Sequence, residues 1–431
     1  MRIKTRKAGL DLEKATENLY RVISGIIRHS LLDDPADIRR FEGTDGMSAA
    51  CAADSSVESE RVDWNTVLRE MKAQTIAVLP YKWVRETGAL SEDIKTQWQS
   101  YCAMQQANWV RVAYAQDQLL KLLEENDIKC VIIKGSAAAM NYPQPSYRTA
   151  GDVDFLVKRS DYEKTAQLLE ENGYAVSGHK NPDFHHYGYK KNGISFELHR
   201  RIPIIRNDDE IMLSLFERGI EERVFARVES YTVPVLPTEL NGLVLLFHID
   251  QHLRSGLGLR QIFDWMMYVD KNDGFAELEP LFEKTGTLKL ALSVTAMCQK
   301  YFGLRPFVNN VDQYPCESLM EYIIEKGNFG KKGGVAGKSA SVFLDASNPI
   351  RFFKRLQNGG LSRWKAAKKH RFLRPFAWIY QIFRLPGVLI HGRITPAEFA
   401  EQKKVGKRQR ELIYDLGLDL ERFLDHSEKE H

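Results

Sequence analysis

Cys130-Val131-Ile132-Ile133-Lys134-Gly135-Ser136 and, sixteen residues beyond that serine, Asp152-Val153-Asp154-Phe155-Leu156-Val157 decide how the middle of this 431-residue chain is read. Each holds a short apolar run after a polar break, the pattern of a buried strand. Asp161 to Asn172 has helical spacing, with Leu168 and Leu169 apolar, and Gly173 stands where a helix-ending glycine belongs. His186 to Lys190 and Ile194 to His199 read as two strands joined by Lys191-Asn192-Gly193, and Asn-Gly between two such runs marks a hairpin. Strand, helix, strand, helix and hairpin predict a small α/β domain over residues 127–236.

Within that domain the carboxylates carry the chemistry. Alternate strand residues share a face, so Asp152 and Asp154 converge. Two close carboxylates repel unless a cation lies between them, and Mg²⁺ takes a few carboxylates together with substrate phosphates. Glu197, in Ile194-Ser195-Phe196-Glu197-Leu198-His199, is a glutamate among apolar strand residues and the candidate third ligand, provided its strand lies beside that of Asp152. It is also a candidate base for the proton of an attacking hydroxyl. Gly135 and Ser136 follow the first strand and open a small-residue helix from Ala137 to Met140, where backbone N–H groups and the serine hydroxyl suit phosphate oxygens. Lys134 and Arg148 suit either a triphosphate or structural ion pairs. Arg260 and Asp264, four apart on a predicted helix, suit either a salt bridge on one face or the lining of a nucleotide or acceptor cleft.

Ile133-Lys134-Gly135-Ser136, then Tyr142-Pro143, then Tyr147-Arg148-Thr149-Ala150-Gly151-Asp152-Val153-Asp154-Phe155-Leu156-Val157, then Phe196-Glu197-Leu198-His199 resemble the signature of the uncharacterised nucleotidyltransferases of the polymerase-β superfamily. Gly256 to Asp264 is similar to a downstream helical segment of that family, and the resemblance spans roughly residues 100–330. It implies a small mixed sheet with helices. The implied activity is transfer of a nucleoside monophosphate from an NTP with two Mg²⁺ ions, to an acceptor the family leaves undefined, often in polysaccharide or peptide-product pathways. The expected metal ligands are Asp152, Asp154 and Glu197, and Gly135, Ser136, Lys134, Arg148 and Arg260 are the expected nucleotide contacts. The expected class is thus α/β (α+β), with helical additions at both ends of the core.

Outward from the core, residues 1–126 read as mainly helical. Leu19, Val22, Ile23, Ile26, Ile27 and Leu31 have amphipathic spacing, residues 41–60 read as a loop, Pro80 interrupts a helix, and a long helix runs from about Glu92 to Glu125. Thr238 is the expected cap of a helical region that extends to about residue 330. Residues 327–348 read as a flexible Gly, Ser and Ala-rich loop; Gly337-Lys338-Ser339 within it lacks the strand and glycine a phosphate loop needs. His248 and His252 lie four apart, but Ile249 stands where a zinc hydrolase motif has glutamate.

From Arg351 to Arg393 there are eleven Lys and Arg, no Asp or Glu, and many interleaved aromatic residues. Such a segment suits an anionic membrane surface, less well nucleic acid, or a basic cover over the core. The whole chain has 43% hydrophobic and 27% charged residues and a net charge of +4, ordinary values for a globular protein. Five widely spaced cysteines form no zinc signature and predict no disulfide framework. The basic start has no apolar run behind it, and no 18-residue apolar stretch occurs, so a cytoplasmic protein, peripheral at the inner membrane face, is expected. The rival reading is a non-catalytic nucleotide-binding or membrane-associated scaffold.

Overall fold

The apolar runs at Cys130 and Val153 become neighbouring strands in the middle of a mixed sheet. A computed structural model describes residues 2–34, 62–178, 185–203, 205, 209–328, 396–418 and part of 353–383. The strands are β1 (Cys130–Ile132), β2 (Val153–Val157), β3 (Ala175–Ser177), β4 (His186–Lys191), β5 (Ile194–His199), β6 (Val224–Val228) and β7 (Tyr231–Val235). Among the described residues they form one seven-stranded sheet in the order β3-β4-β5-β2-β1-β7-β6. The β1–β2 pair is antiparallel, whereas β2–β5 and β1–β7 are parallel.

Asn192 (φ 52°) and Gly193 (φ 76°) form the left-handed turn that the Asn-Gly pair predicts. The turn sets β4 against β5 from Lys191↔Ile194 to His186↔His199. Parallel pairing of β5 with β2 then places Glu197 directly beside Asp154. Alternation separates two faces. Val153, Phe155, Val157, Tyr187, Tyr189, Phe196 and Leu198 enter one core with Trp109, Leu119, Leu123, Ala166 and Leu169. The opposite face carries Asp154, His186, Glu197 and His199.

The first core packs on two helices, α4 (Glu92–Glu124) and α6 (Tyr162–Glu171). Before them run α1 (Arg2–Leu32), α2 (Trp64–Ala73) and α3 (Tyr81–Glu86), and the buried face of α1 includes Val22, Ile23, Ile26, Ile27 and Leu31. The short helix α5 (Gly135–Ala139) follows β1, and α7 (Glu210–Glu221) precedes β6. Then come α8 (Thr238–Ser255), α9 (Leu259–Lys271), α10 (Glu279–Lys284), α11 (Leu288–Phe302), α12 (Cys316–Lys326) and α13 (Pro396–Asp415). Thr238, the expected cap, lies inside α8, whose first turn is closed by Asn241 N–H donating to the Pro237 carbonyl at 3.0 Å. The chain divides into two compact units. One comprises Met1–Leu245, Leu259–Leu278 and Val294–Val311; the other comprises Leu246–Gly258, Glu279–Ser293 and Asp312–His431. The loop read at 41–60, and that read at 327–348 beyond residue 328, lie outside the described residues.

Because the turn at Asn192-Gly193 fixes the register that brings Glu197 to Asp154, it has a measurable weight. An L-residue in the left-handed region costs about 1–2 kcal/mol. Gly193→Ala is therefore expected to lower stability by about that amount, read as an earlier urea midpoint with an unchanged slope.

Candidate active site

Asp152 lies one residue ahead of β2 and is exposed, whereas Asp154 inside the strand is 4% exposed. The two are close enough that Asp154 is the main cause of a raised pKa at Asp152, with partial burial adding to it and Lys134 and Arg260 opposing. Lys134 donates from Nζ to Asp154 Oδ1 at 3.0 Å. His199, fully buried, holds Nε2 at 3.0 Å from the same Oδ1 and 3.3 Å from Glu197 Oε2. His186 Nε2 stands 3.9 Å from the other Glu197 oxygen. Asp154, Glu197 and His199 thus present ligand atoms within 4.8 Å of one another.

Electrostatics push the groups around Asp154 in different directions. Burial works against the charge of Lys134, but Asp154 and Glu197 outweigh it and hold the ammonium above its ordinary pKa. Burial likewise opposes the imidazolium of His199, and its bonds to Asp154 and Glu197 win. Burial would raise Glu197, yet the His199 bond and the Lys134 charge hold it at about 2. A carboxyl that acidic is a poor proton acceptor and a good cation ligand, which weighs against the base role considered for Glu197. His185 and His186 are driven the other way: burial and the neighbouring imidazoles push His185 well below its ordinary pKa and His186 to about 4.

The turn from β1 into α5 is unusual. Lys134 has φ 59° and ψ −140°, a backbone region that non-glycine residues rarely occupy, and Gly135 follows at φ 34°. A Cβ on Gly135 would come within 3.9 Å of the Asp152 carbonyl oxygen, so this turn lies against the start of the acidic strand. The Ser136 hydroxyl donates to Gln116 Oε1 of α4 at 2.9 Å.

Arg148 is buried, and its guanidinium is bidentate with Asp264, Nε to Oδ1 and Nη2 to Oδ2, each at 2.7 Å. Tyr142 donates to the same Oδ1 at 2.8 Å. Of the two roles the sequence leaves open, Arg148 thus shows the ion pair, and its partner is the α9 aspartate that local spacing had matched with Arg260. Arg260 is only partly buried, and its Nε meets no hydrogen-bond partner among the described residues. Burial and Arg148 depress its pKa, against the attraction of Asp264 and Asp152.

The histidines were given no role by sequence. His185 and His186 form a doublet at the mouth of β4, and His186 lies opposite His199. Counting back from the Asn-Gly turn would have paired them. His248 and His252, in the other compact unit, meet Nε2 to Nε2 at 3.0 Å.

A family model described as an uncharacterised nucleotidyltransferase matches residues 60–303, more than half of the chain. No curated protein matches it. Among solved structures it is similar to an antigenic nucleotidyltransferase-like protein from Paracoccidioides brasiliensis, at 18% identity and a TM-score of 0.26, over 45% of this chain and 96% of that one.

The Arg148–Asp264 pair can be weighed separately. Removing one partner of a buried ion pair leaves an uncompensated charge and costs about 3–5 kcal/mol. Arg148→Ala and Asp264→Ala should each lower stability by about that much, and the double variant should lose less than the sum in a urea double-mutant cycle. Additive losses would show that the two side chains do not act as a pair.

Proposed function

The chain belongs to the uncharacterised nucleotidyltransferase family, and on that premise we propose that it transfers a nucleoside monophosphate from an NTP to a hydroxyl or phosphate acceptor, releasing pyrophosphate, with Mg²⁺. The observation that carries this reading is the β2–β5 register, which sets Glu197 beside Asp154 while Asp152 adjoins Asp154 two residues earlier. The donor set fits the metal: Asp154 and Glu197 stand side by side on one sheet face, and Asp152, just ahead of β2, has its pKa raised by the Asp154 charge, a repulsion that a hard divalent cation relieves. When bound, Mg²⁺ would neutralise charge on the triphosphate and lower the pKa of the acceptor hydroxyl.

The chain's own groups do the rest. Asp152, Asp154 and Glu197 would hold the ions. The turn at Gly135 and Ser136 admits phosphate oxygens against the backbone. Arg260, a guanidinium near Asp152 with an uncommitted Nε, takes triphosphate charge. Lys134 spends one bond on Asp154 and has further protons for a phosphate oxygen. Arg148 positions Asp264 and Tyr142 rather than touching substrate. As the acceptor oxygen bonds to the α-phosphorus, the bond from that phosphorus to the β-phosphate bridge breaks. The acceptor's proton passes to solvent water beside the exposed Asp152.

Asp152→Asn and Asp154→Asn should abolish transfer of label from α-labelled NTP in the presence of Mg²⁺, with circular dichroism unchanged. Glu197→Gln should retain much of the NTP binding and lose turnover. Full transfer in either aspartate variant would refute the assignment, and turnover within a few-fold of normal would remove Glu197 from it.

We further propose that residues 351–393 rest on an anionic membrane surface. Among the described residues of this stretch Phe372, Phe376 and Phe383 are more than half exposed, and among the described residues of the chain no helix is long and apolar enough to span a bilayer. Each basic residue near such a surface adds about 1 kcal/mol, which salt screens. The full chain should sediment with anionic vesicles and not neutral ones, less at high salt, and a chain ending before Arg351 should stay in solution. Equal sedimentation of the two chains would dismiss this segment as the anchor.

A further inference from the structure

Beside the carboxylates lies a second constellation of different chemistry. His185, His186 and His199 each offer a ring nitrogen, all within 4.8 Å of one another. The rings pack closely: 4.5 Å between centroids for His185 and His186, 5.1 Å for His186 and His199, and 5.7 Å for His185 and His199. The backbone explains how two successive residues reach one side of the sheet. His186 opens β4 and faces His199 across the pair, whereas His185 precedes the strand, free of its alternation, with its carbonyl accepting from Arg200 N–H at 3.1 Å. Two of the three imidazoles are buried and the third is partly so. His199 also keeps Nδ1 buried with no hydrogen-bond partner among the described residues.

Three imidazoles are a poor match for Mg²⁺, which takes oxygen ligands, and a good match for zinc and its neighbours in the first transition row. Zinc binds histidine nitrogen at about 2.0–2.1 Å, so tetrahedral ligand atoms stand about 3.3–3.5 Å apart. The observed spread, up to 4.8 Å, therefore needs to contract by up to about 1.3–1.5 Å, within the reach of side-chain rotation. A fourth ligand is at hand. Glu197 lies 3.9 Å from His186 Nε2 through Oε1 and 3.3 Å from His199 Nε2 through Oε2. We infer that His185, His186 and His199 form a site for a zinc-class divalent cation, with Glu197 able to complete it. This goes beyond the transfer reaction and does not depend on it. Because Glu197 and His199 also belong to the carboxylate cluster, an ion held by the imidazoles draws on ligands that the transfer site uses.

The test uses the full chain stripped of metal and titrated with Zn²⁺ and Co²⁺ in excess Mg²⁺. One Zn²⁺ per chain should be retained in equilibrium dialysis, and bound Co²⁺ should give the intense visible absorption of a four-coordinate ion. His185→Gln and His186→Gln should each weaken binding at least tenfold with circular dichroism unchanged, whereas His252→Gln should not. Asp152→Asn should lose transfer and keep the zinc, which separates failure of this site from failure of the transferase reading. A weak octahedral Co²⁺ spectrum on the unaltered chain, displacement by Mg²⁺, or undiminished binding in both His185→Gln and His186→Gln would overturn the inference.

Discussion

The main-chain pairing of β2 with β5 is the constraint on which the rest depends. A parallel ladder has no freedom to slide by one residue, because a slip would turn Phe196 and Leu198 out of the core and bury Glu197 instead. The apolar face therefore fixes the position of the polar one. Phe155, Tyr187, Tyr189 and Phe196 with Val153, Val157, Ile194 and Leu198 hold the register from below, and the carboxylates and imidazoles inherit their spacing from it.

A second constraint acts from outside the sheet. The buried Arg148–Asp264 pair, with Tyr142 on the same carboxylate, ties the segment ahead of β2 to α9. A bidentate guanidinium–carboxylate pair has directional requirements that an apolar contact lacks. It fixes the approach of α9, and with it Arg260, toward Asp152. The arginine that looked like a phosphate ligand thus acts on its neighbour four residues from its partner.

Much of this was legible in the chain. β1, β2, α6 and the β4–β5 hairpin follow from apolar period, a glycine stop and an Asn-Gly turn, and α4 from its long helical pattern, so the α+β core and the convergence of Asp154 with Glu197 could be argued before the fold was seen. What could not be read has physical reasons. β3 is three exposed residues, and β6 exposes Val224 and Phe225, so neither shows one buried face. β7 carries Pro234, which argues against a strand; it is tolerated because only Val235 pairs with β1. α13 lies in a stretch rich in charge beyond the basic aromatic segment, with little apolar period to mark it. The Arg148–Asp264 pair spans 116 residues, and nothing local favours it over the i, i+4 alternative. The His186–His199 pairing was available by counting from the turn, but histidines at strand ends do not announce themselves by pattern.

The charges around Asp154 have a consequence for how such a protein comes into being. Lys134, His199 and Arg260 bring three cationic groups to the three carboxylates of Asp152, Asp154 and Glu197. The cluster carries its own counter-ions, unlike small domains whose folding waits for a metal to cancel ligand repulsion. The sheet can close around these residues without a divalent ion, and an ion of the proposed kind would take the place of a lysine ammonium and an imidazolium. Loading with the proposed ion would thereby be uncoupled from folding, and the protein would stay intact where the ion is scarce.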